Sequence, residues 1–418
     1  MTSVVSPKIN IVQNIQIEQN FIESILNDSL TLNTKKNWTA LASVSGVGPV
    51  TFFQLLQLIQ KTQNDWPSFW AGRTRFWQEN LTYKKIENSI KNFTKAYTIE
   101  TYWQTLIEKQ IWVLAVNEAD YPCLLKHVPF PPPVLFLKGK LDLNELLPIA
   151  VIGTRHMTNY GRLVTERVVP QLTANDVLVV SGFMYGVDLS AQQAAIKAQG
   201  KCVGVLGYGF DYLYPAYLAN IYQEMLNCGL ACFVSEYPPF VSASKGTFVR
   251  RNHIIAGMSV AVLVIEAGIK SGTQITVNYA LEYGRDVLAV SGPITSPYFQ
   301  GTQAMINQGA CLVGSGQEVL RAVTNSRWAE MIKNQTSQRT AINSRQVSDT
   351  SSSLLVSSTN DNSALKSSIL QTLETSPSSL AQLSVLLQLS NHTVQQALTS
   401  LELDGQVICR EGCWSLAL

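Results

Sequence analysis

The chain has 418 residues, 46% of them hydrophobic and only 14% charged. That is enough for two or three packed domains and too apolar for a disordered polyelectrolyte. Thirty-one Lys and Arg against 29 Asp and Glu leave a formal net charge of +2, which excludes a histone-like or polybasic membrane binder and confines any nucleic-acid site to a local patch.

Residues 1–20 are rich in Asn, Gln and Ser, with no apolar core after Lys8, and the longest uncharged stretch, Val287 to Gln317, is broken by Gly292, Pro293, Pro297, Gly301 and Gly309. No export leader or membrane-spanning helix is expected, and the chain reads as cytoplasmic. Seven cysteines, an odd number, lie mostly in apolar runs and read as buried thiols; with four His and no zinc-type spacing, no metal or other cofactor is expected.

A polar extension, residues 1–36, precedes a helical domain over 37–110. Within it Asn37 to Gln60 reads as helix, tight turn, helix. The turn Val44-Ser45-Gly46-Val47-Gly48-Pro49 has two glycines bracketing one apolar residue, as in a helix-hairpin-helix of the SAM-like kind, whose free amides suit a backbone phosphate. A Gly-rich turn with no ligand fits the same pattern. Trp66 to Glu108 is helical and aromatic-rich, and Trp112 to Lys138 reads as an extended lead-in.

Residues 111–325 form the main domain. Apolar or β-branched runs begin near Ile149, Val177, Val203, Ala231, Ala261, Asp286 and Ala310, separated by helical segments such as Tyr160 to Ala174, Leu189 to Gln199, Tyr217 to Cys228 and Thr273 to Tyr283. This alternation predicts an α/β fold with a doubly wound, Rossmann-like, largely parallel sheet. Runs such as Val177-Leu178-Val179-Val180 are apolar throughout, as strands covered on both faces require. A polar linker over 326–363 follows, densest between Asn334 and Ser363, where Ser, Thr, Asn and Gln supply 20 of 30 residues. Over 364–418 a capping box at Ser379-Leu380-Ala381-Gln382, a helix from Asn391 to Leu403 and a hairpin from Val407 to Leu416 read as a winged helix-turn-helix. From Ser363 onward that segment carries a net −2, which suits protein contact better than duplex binding.

Ligands of such sheets gather at the carboxyl ends of strands. Four Gly-rich turns sit there: Ile152-Gly153-Thr154-Arg155; Ser181-Gly182 running on to Gly186-Val187-Asp188; Gly207 to Tyr212; and Ala267 to Thr273. None completes a dinucleotide fingerprint or a P-loop, since Tyr212 stands where the former needs a third Gly and no Gly-Lys-Ser/Thr follows in the fourth turn. Between Ile149 and Leu320 ten basic residues face ten acidic ones, so Lys245, Arg250 and Arg251, three cations within seven residues, stand out. With Phe248 as a stacking face, and with Arg155 and Lys270, they suit a single-strand groove; a solvated basic loop is the bland alternative. Asp188, Asp211, Glu236 and Glu266 read as helix caps or partners of Arg, because no His is placed beside a Ser or Cys nucleophile.

These segments together resemble the DprA/Smf family of DNA-processing proteins. The matching residues include Tyr121-Pro122, Pro132 to Gly139, Ile149 to Arg155, Ser181-Gly182 with Gly186-Val187-Asp188, Tyr214-Pro215, Ser235-Glu236, Phe248 with Arg250 to Gly257, and Ser271 to Thr276. The resemblance implies a Rossmann-like domain without enzymatic activity that forms a homodimer, binds incoming single-stranded DNA and loads RecA recombinase onto it during natural transformation. It places the DNA site at Gly153, Arg155, Lys245, Phe248, Arg250, Arg251, Asn252, Ser271, Gly272 and Thr273. Tyr185 and Gln192 stand where the family often has Arg and His, and Gln303 where Asn is usual. A related enzyme class, the nucleotide phosphoribohydrolases of the lysine-decarboxylase-like family, places carboxylates just after its Gly-Thr; here those positions are Gln274, Ile275 and Thr276.

Overall fold

The computed structural model describes residues 24–25, 31–61, 66–71, 81–324 and 326–334, and, further on, 369–370, 372–373, 378–379, 383, 394, 397–398, 401–402, 406–410 and 413–416. The chain divides into two compact units, Met1–Thr336 and Ser337–Leu418.

In the first unit, helices α1 (Leu32–Ala42) and α2 (Pro49–Lys61) form the expected hairpin. Helix α1 begins before the expected boundary at residue 37, because Thr31 caps it, accepting a hydrogen bond from the Thr34 amide. The turn closes on Gly46 at φ +87, and Pro49 opens α2 at the position where its missing N–H costs nothing. Helices α3 (Trp66–Trp70), α4 (Leu81–Ala96) and α5 (Ile99–Glu108) complete an aromatic core in which Trp38 meets Phe52 edge-on and Trp70 Nε1 donates to Asn37 Oδ1 at 2.7 Å. Leu41 and Phe52 share one buried cluster with Val134, Leu135 and Phe136, and Lys35 pairs with Glu118 at 2.6 Å. The helical hairpin is thus fastened to the sheet.

The sheet strands are β1 (Trp112–Ala115), β2 (Val134–Lys138), β3 (Leu147–Ile152), β4 (Val177–Ser181), β5 (Cys202–Val205), β6 (Ala231–Ser235), β7 (Ala261–Val264), β8 (Asp286–Ala289) and β9 (Cys311–Leu312), in the order β1-β2-β6-β5-β4-β3-β7-β8-β9. From β6 to β9 all neighbours are parallel. The lead-in contributes two further strands, since β2 runs antiparallel to both β1 and β6. Alternate residues of the central strands enter opposite cores: Ala150, Ile152, Leu178 and Val180 join the cluster under the N-terminal helices, while Ile149, Val151, Val177 and Val179 join the other. Full burial on both faces is why these strands read as continuous apolar runs.

Crossover helices are α6 (Asn159–Thr173), α7 (Val187–Lys197), α8 (Ala219–Asn227), α9 (Lys245–Gly257), α10 (Thr273–Glu282), α11 (Gln300–Asn307) and α12 (Gly316–Thr324). Helix α9 links β6, at one side of the sheet, to β7 on the other side of β3. The basic cluster therefore lies on a helix, not a loop, and a Ser244–Thr247 capping box fixes its start. No described helix is long and apolar enough to cross a membrane.

Residues 327–334, expected to open the linker, are helical, and the rest of the expected linker lies outside the described residues. Trp328 anchors that helix: its ring lies 3.7 Å from the Arg285 guanidinium and 4.4 Å from that of Arg327, and its Nε1 donates to Gly284 O at 2.7 Å. In the second unit β10 (Ser378–Ser379), β11 (Val407–Arg410) and β12 (Cys413–Leu416) form a sheet in the order β10-β12-β11. The expected hairpin is present. Ser378 and Ser379 pair as a strand with Trp414 and Cys413, and the remainder of the expected capping box lies outside the described residues. Val394, Ala397, Leu398 and Leu401 are helical and buried with Val407 and Trp414, one apolar face of the expected helix.

Replacing Trp328 by Ala should destabilise the first unit by about 3 kcal/mol, through lost core packing and two cation–π contacts. Denaturant melts read this directly, and an unchanged midpoint would mean that 327–334 is not fastened.

Candidate nucleic-acid interface

Strand order reverses at β3: β4 lies on one side and β7 on the other. In doubly wound sheets the crevice outside the carboxyl ends at such a point is where ligands bind. Here it is a cleft of 780 Å³ walled by the turn after β3, the turn after β4, the turn before α10, and one face of α9. Nine of the ten expected site residues line it: Gly153, Arg155, Lys245, Phe248, Arg251, Asn252, Ser271, Gly272 and Thr273.

Arg250 does not. Its guanidinium lies against Gly48 of the helical hairpin, 3.0 Å from where a Cβ on that residue would stand, and its Nε is 3.3 Å from Glu236 Oε1. The reason is helical spacing, since Arg250 is turned about 100° from Arg251 on α9 and falls on the side that faces the hairpin. It lines a separate cavity of 490 Å³ with the Val44–Pro49 turn. Burial alone would raise the Glu236 carboxyl, but His253 and Arg250 facing it hold it below its ordinary value. Lys270 is exposed outside the cleft.

Arg251 lines the cleft as its floor. It is 4% exposed and its Nη1 donates to Gly182 O at 2.6 Å and to Val205 O, while Nε donates to Asn252 Oδ1 at 3.2 Å. Burial pulls Arg251 below the ordinary arginine range, against the charge of Asp188. Asp188 faces it, and burial pushes that carboxyl up to about 6 despite Arg251, a hydrogen bond from Ser181 and Arg155. Arg251 is thus spent on the fold: it ties α9 to the ends of β4 and β5.

The cations free to meet a ligand are Arg155 and Lys245, both exposed and without a salt bridge among the described residues. Phe248 lies with Arg155 5.7 Å and Arg251 5.8 Å from its ring centre, and Tyr214 tilts on it at 5.5 Å. The glycines differ in role. A Cβ on Gly153 would stand 2.6 Å from Val187 Cγ2 and 2.8 Å from Glu266 O, so that glycine serves internal packing, whereas Gly272 has open space around it. Ser271 Oγ accepts from the Thr273 amide at 3.2 Å and donates to Thr273 Oγ1 at 2.9 Å, opening α10 where Gly272 has no side chain to cap it.

Tyr185, His156 and Tyr214 also line the cleft. The turn positions of Tyr185 and His156 were legible as strand-end residues, but their inward placement was not. Three of the four carboxylates act as expected: Asp188 faces Arg251, Glu236 pairs with Arg250, and Glu266 accepts from the Thr158 amide at 2.8 Å where α6 begins; Asp211 instead pairs with a lysine, Lys109, at 2.7 Å. At the positions where the phosphoribohydrolase family has carboxylates the structure has Gln274, Ile275 and Thr276, on the first turn of α10.

Fold and cleft together define a doubly wound α/β protein whose switch-point crevice presents cations without a salt bridge among the described residues, open backbone and aromatic faces, a combination suited to a phosphate-bearing ligand with flat rings. The profile of the family described as DNA recombination-mediator protein A matches residues 112–324, and that of the DprA winged helix domain matches 356–412. Protein Smf of Synechocystis sp. is 33% identical over 293 residues, covering 68% of this chain and 72% of that protein. DNA processing protein DprA of Streptococcus pneumoniae is 39% identical over 200 residues, 48% of this chain and 70% of that protein. The X-ray structure of DprA from Streptococcus pneumoniae superposes with a TM-score of 0.57 at 28% identity, covering 70% of this chain and 98% of that one. The chain belongs to the DNA recombination-mediator protein A family, also called DprA/Smf.

Two outcomes follow from the floor. Arg251→Ala should destabilise the first unit by about 3 kcal/mol, as breaking a buried charge pair does, whereas Arg250→Ala should cost about 1 kcal/mol or less; equal costs in denaturant melts would refute the division of labour. Because the folded Asp188 carboxyl titrates near 6, above its unfolded value, folding takes up protons between about pH 4 and 6 and stability falls as pH rises through that window. Asp188→Asn should flatten this part of the stability profile.

Proposed function

We propose that this protein binds single-stranded DNA in the cleft, without catalysing a reaction on it, and acts in the cytoplasm as a homodimeric recombination mediator that loads RecA during natural transformation. The observation that carries the DNA reading is that two cations without a salt bridge among the described residues, Arg155 and Lys245, line one cleft with the Phe248 ring and the open backbone at Gly272. Cations track phosphates and aromatic faces accept bases, which a single strand offers and a duplex hides. The near-neutral domain supports a focused site over indiscriminate binding.

The absence of a carboxylate on the first turn of α10 disfavours the phosphoribohydrolase alternative, since nothing there stabilises an oxocarbenium-like ribose. Membership of a recombination-mediator family supports the RecA step. The edge strand β9, with Cys311 and Leu312 both exposed, supports pairing of two copies through that side of the sheet.

Titration of an oligo-dT across a range of salt tests the site. Arg155→Ala and Lys245→Ala should each weaken binding and reduce the slope of log K against log salt by about 0.7, one phosphate contact on a single strand. Arg250→Ala should leave the slope unchanged. Unaltered slopes in the first two variants would remove them from the interface.

A further inference from the structure

The cleft contains a second ring that the family resemblance does not supply. Tyr185 follows β4, and its ring is half-buried on the cleft wall. The Arg155 guanidinium lies 5.8 Å from the Tyr185 ring centre and 5.7 Å from that of Phe248. Arg155 therefore bridges the two rings. His156 meets Tyr185 edge-on at 6.4 Å and supports it from the side, and Tyr214 and Tyr208 support Phe248 at 5.5 and 6.1 Å.

An exposed guanidinium resting on aromatic faces gains about 0.5–1 kcal/mol from each, less than a charge-assisted hydrogen bond to a phosphate provides. A strand entering the cleft offers Arg155 the better partner. Once the guanidinium turns to a phosphate, both ring faces are uncovered together, and the flat groups that arrive with the phosphate are bases.

We infer that Tyr185 and Phe248 form a two-faced base-stacking subsite, held closed by Arg155 in the free protein and opened when Arg155 transfers to a strand phosphate. This rests on the cleft being a single-strand site and goes further by assigning Tyr185 a contact with the base. A neutral ring at this position adds affinity by stacking without adding to the salt dependence.

The test is a titration of wild type, Tyr185→Ala, Tyr185→Phe and Tyr185→Arg with an oligo-dT containing one 2-aminopurine. Base–aromatic stacking of about 1–3 kcal/mol predicts roughly ten-fold weaker binding by Tyr185→Ala, with the salt slope unchanged. Tyr185→Phe should match wild type in affinity and in fluorescence quenching, Tyr185→Ala should lose much of the quenching, and Tyr185→Arg should steepen the salt slope by about 0.7. Wild-type affinity and quenching in Tyr185→Ala would overturn the inference. So would a slope reduced by about 0.7 in Tyr185→Ala, because Tyr185 would then act only by positioning Arg155. If the wild type retains no single strand at all, it is the parent reading that fails.

Discussion

The guanidinium of Arg251 lies where the carboxyl ends of β4 and β5 meet the inner face of α9, and it satisfies backbone carbonyls of both turns while facing Asp188. Two carbonyls and a carboxylate converging on one point would be costly to bury without a cation among them, and a lone buried cation would be as costly without them. The rest of the cleft follows from this contact. It holds α9 across the gap between the two halves of the sheet, and α9 in turn presents Lys245, Phe248 and Asn252 to the cleft and Arg250 to the helical hairpin.

Much of the architecture was legible in the sequence because the physics is local. Strands such as Val177–Ser181 announce burial on both faces by having no polar alternation, and the two glycines of the Val44–Pro49 turn mark a helical hairpin. What was not legible depended on tertiary placement. The lead-in strands β1 and β2 are ordinary apolar runs until β2 pairs with β6. The segment 327–334 reads as the start of a polar linker although it carries Trp328, Met331 and Ile332, because what fastens it is tertiary: Ile332 is buried and Trp328 lies against Arg285 and Arg327.

The same holds for the site. Gly153, Arg155, Ser271, Gly272 and Thr273 lie at strand-end turns, where the topological rule needs only the position of each turn, whereas Lys245, Phe248, Arg251 and Asn252 lie on α9 and were expected at the site through the basic cluster and the resemblance. The separation of Arg250 from Arg251 is a matter of helix phase, which becomes informative only once Lys245–Gly257 is known to be helical. Sequence ranked the two arginines as equals. Their surroundings make one a buried tie beneath the cleft and the other a partly exposed link to the hairpin, paired with Glu236.

The position of the crossover helix has a consequence for biosynthesis. Gly153 and Arg155 emerge early, whereas Ser271 to Thr273 follow only after β7, and β3 and β7 are neighbours in the finished sheet. Long-range parallel pairing of this kind forms late. A nascent chain released from the ribosome through β6 alone therefore carries Gly153 and Arg155 without α9 or the turn before α10, and the cleft is complete only when the two halves of the sheet have joined.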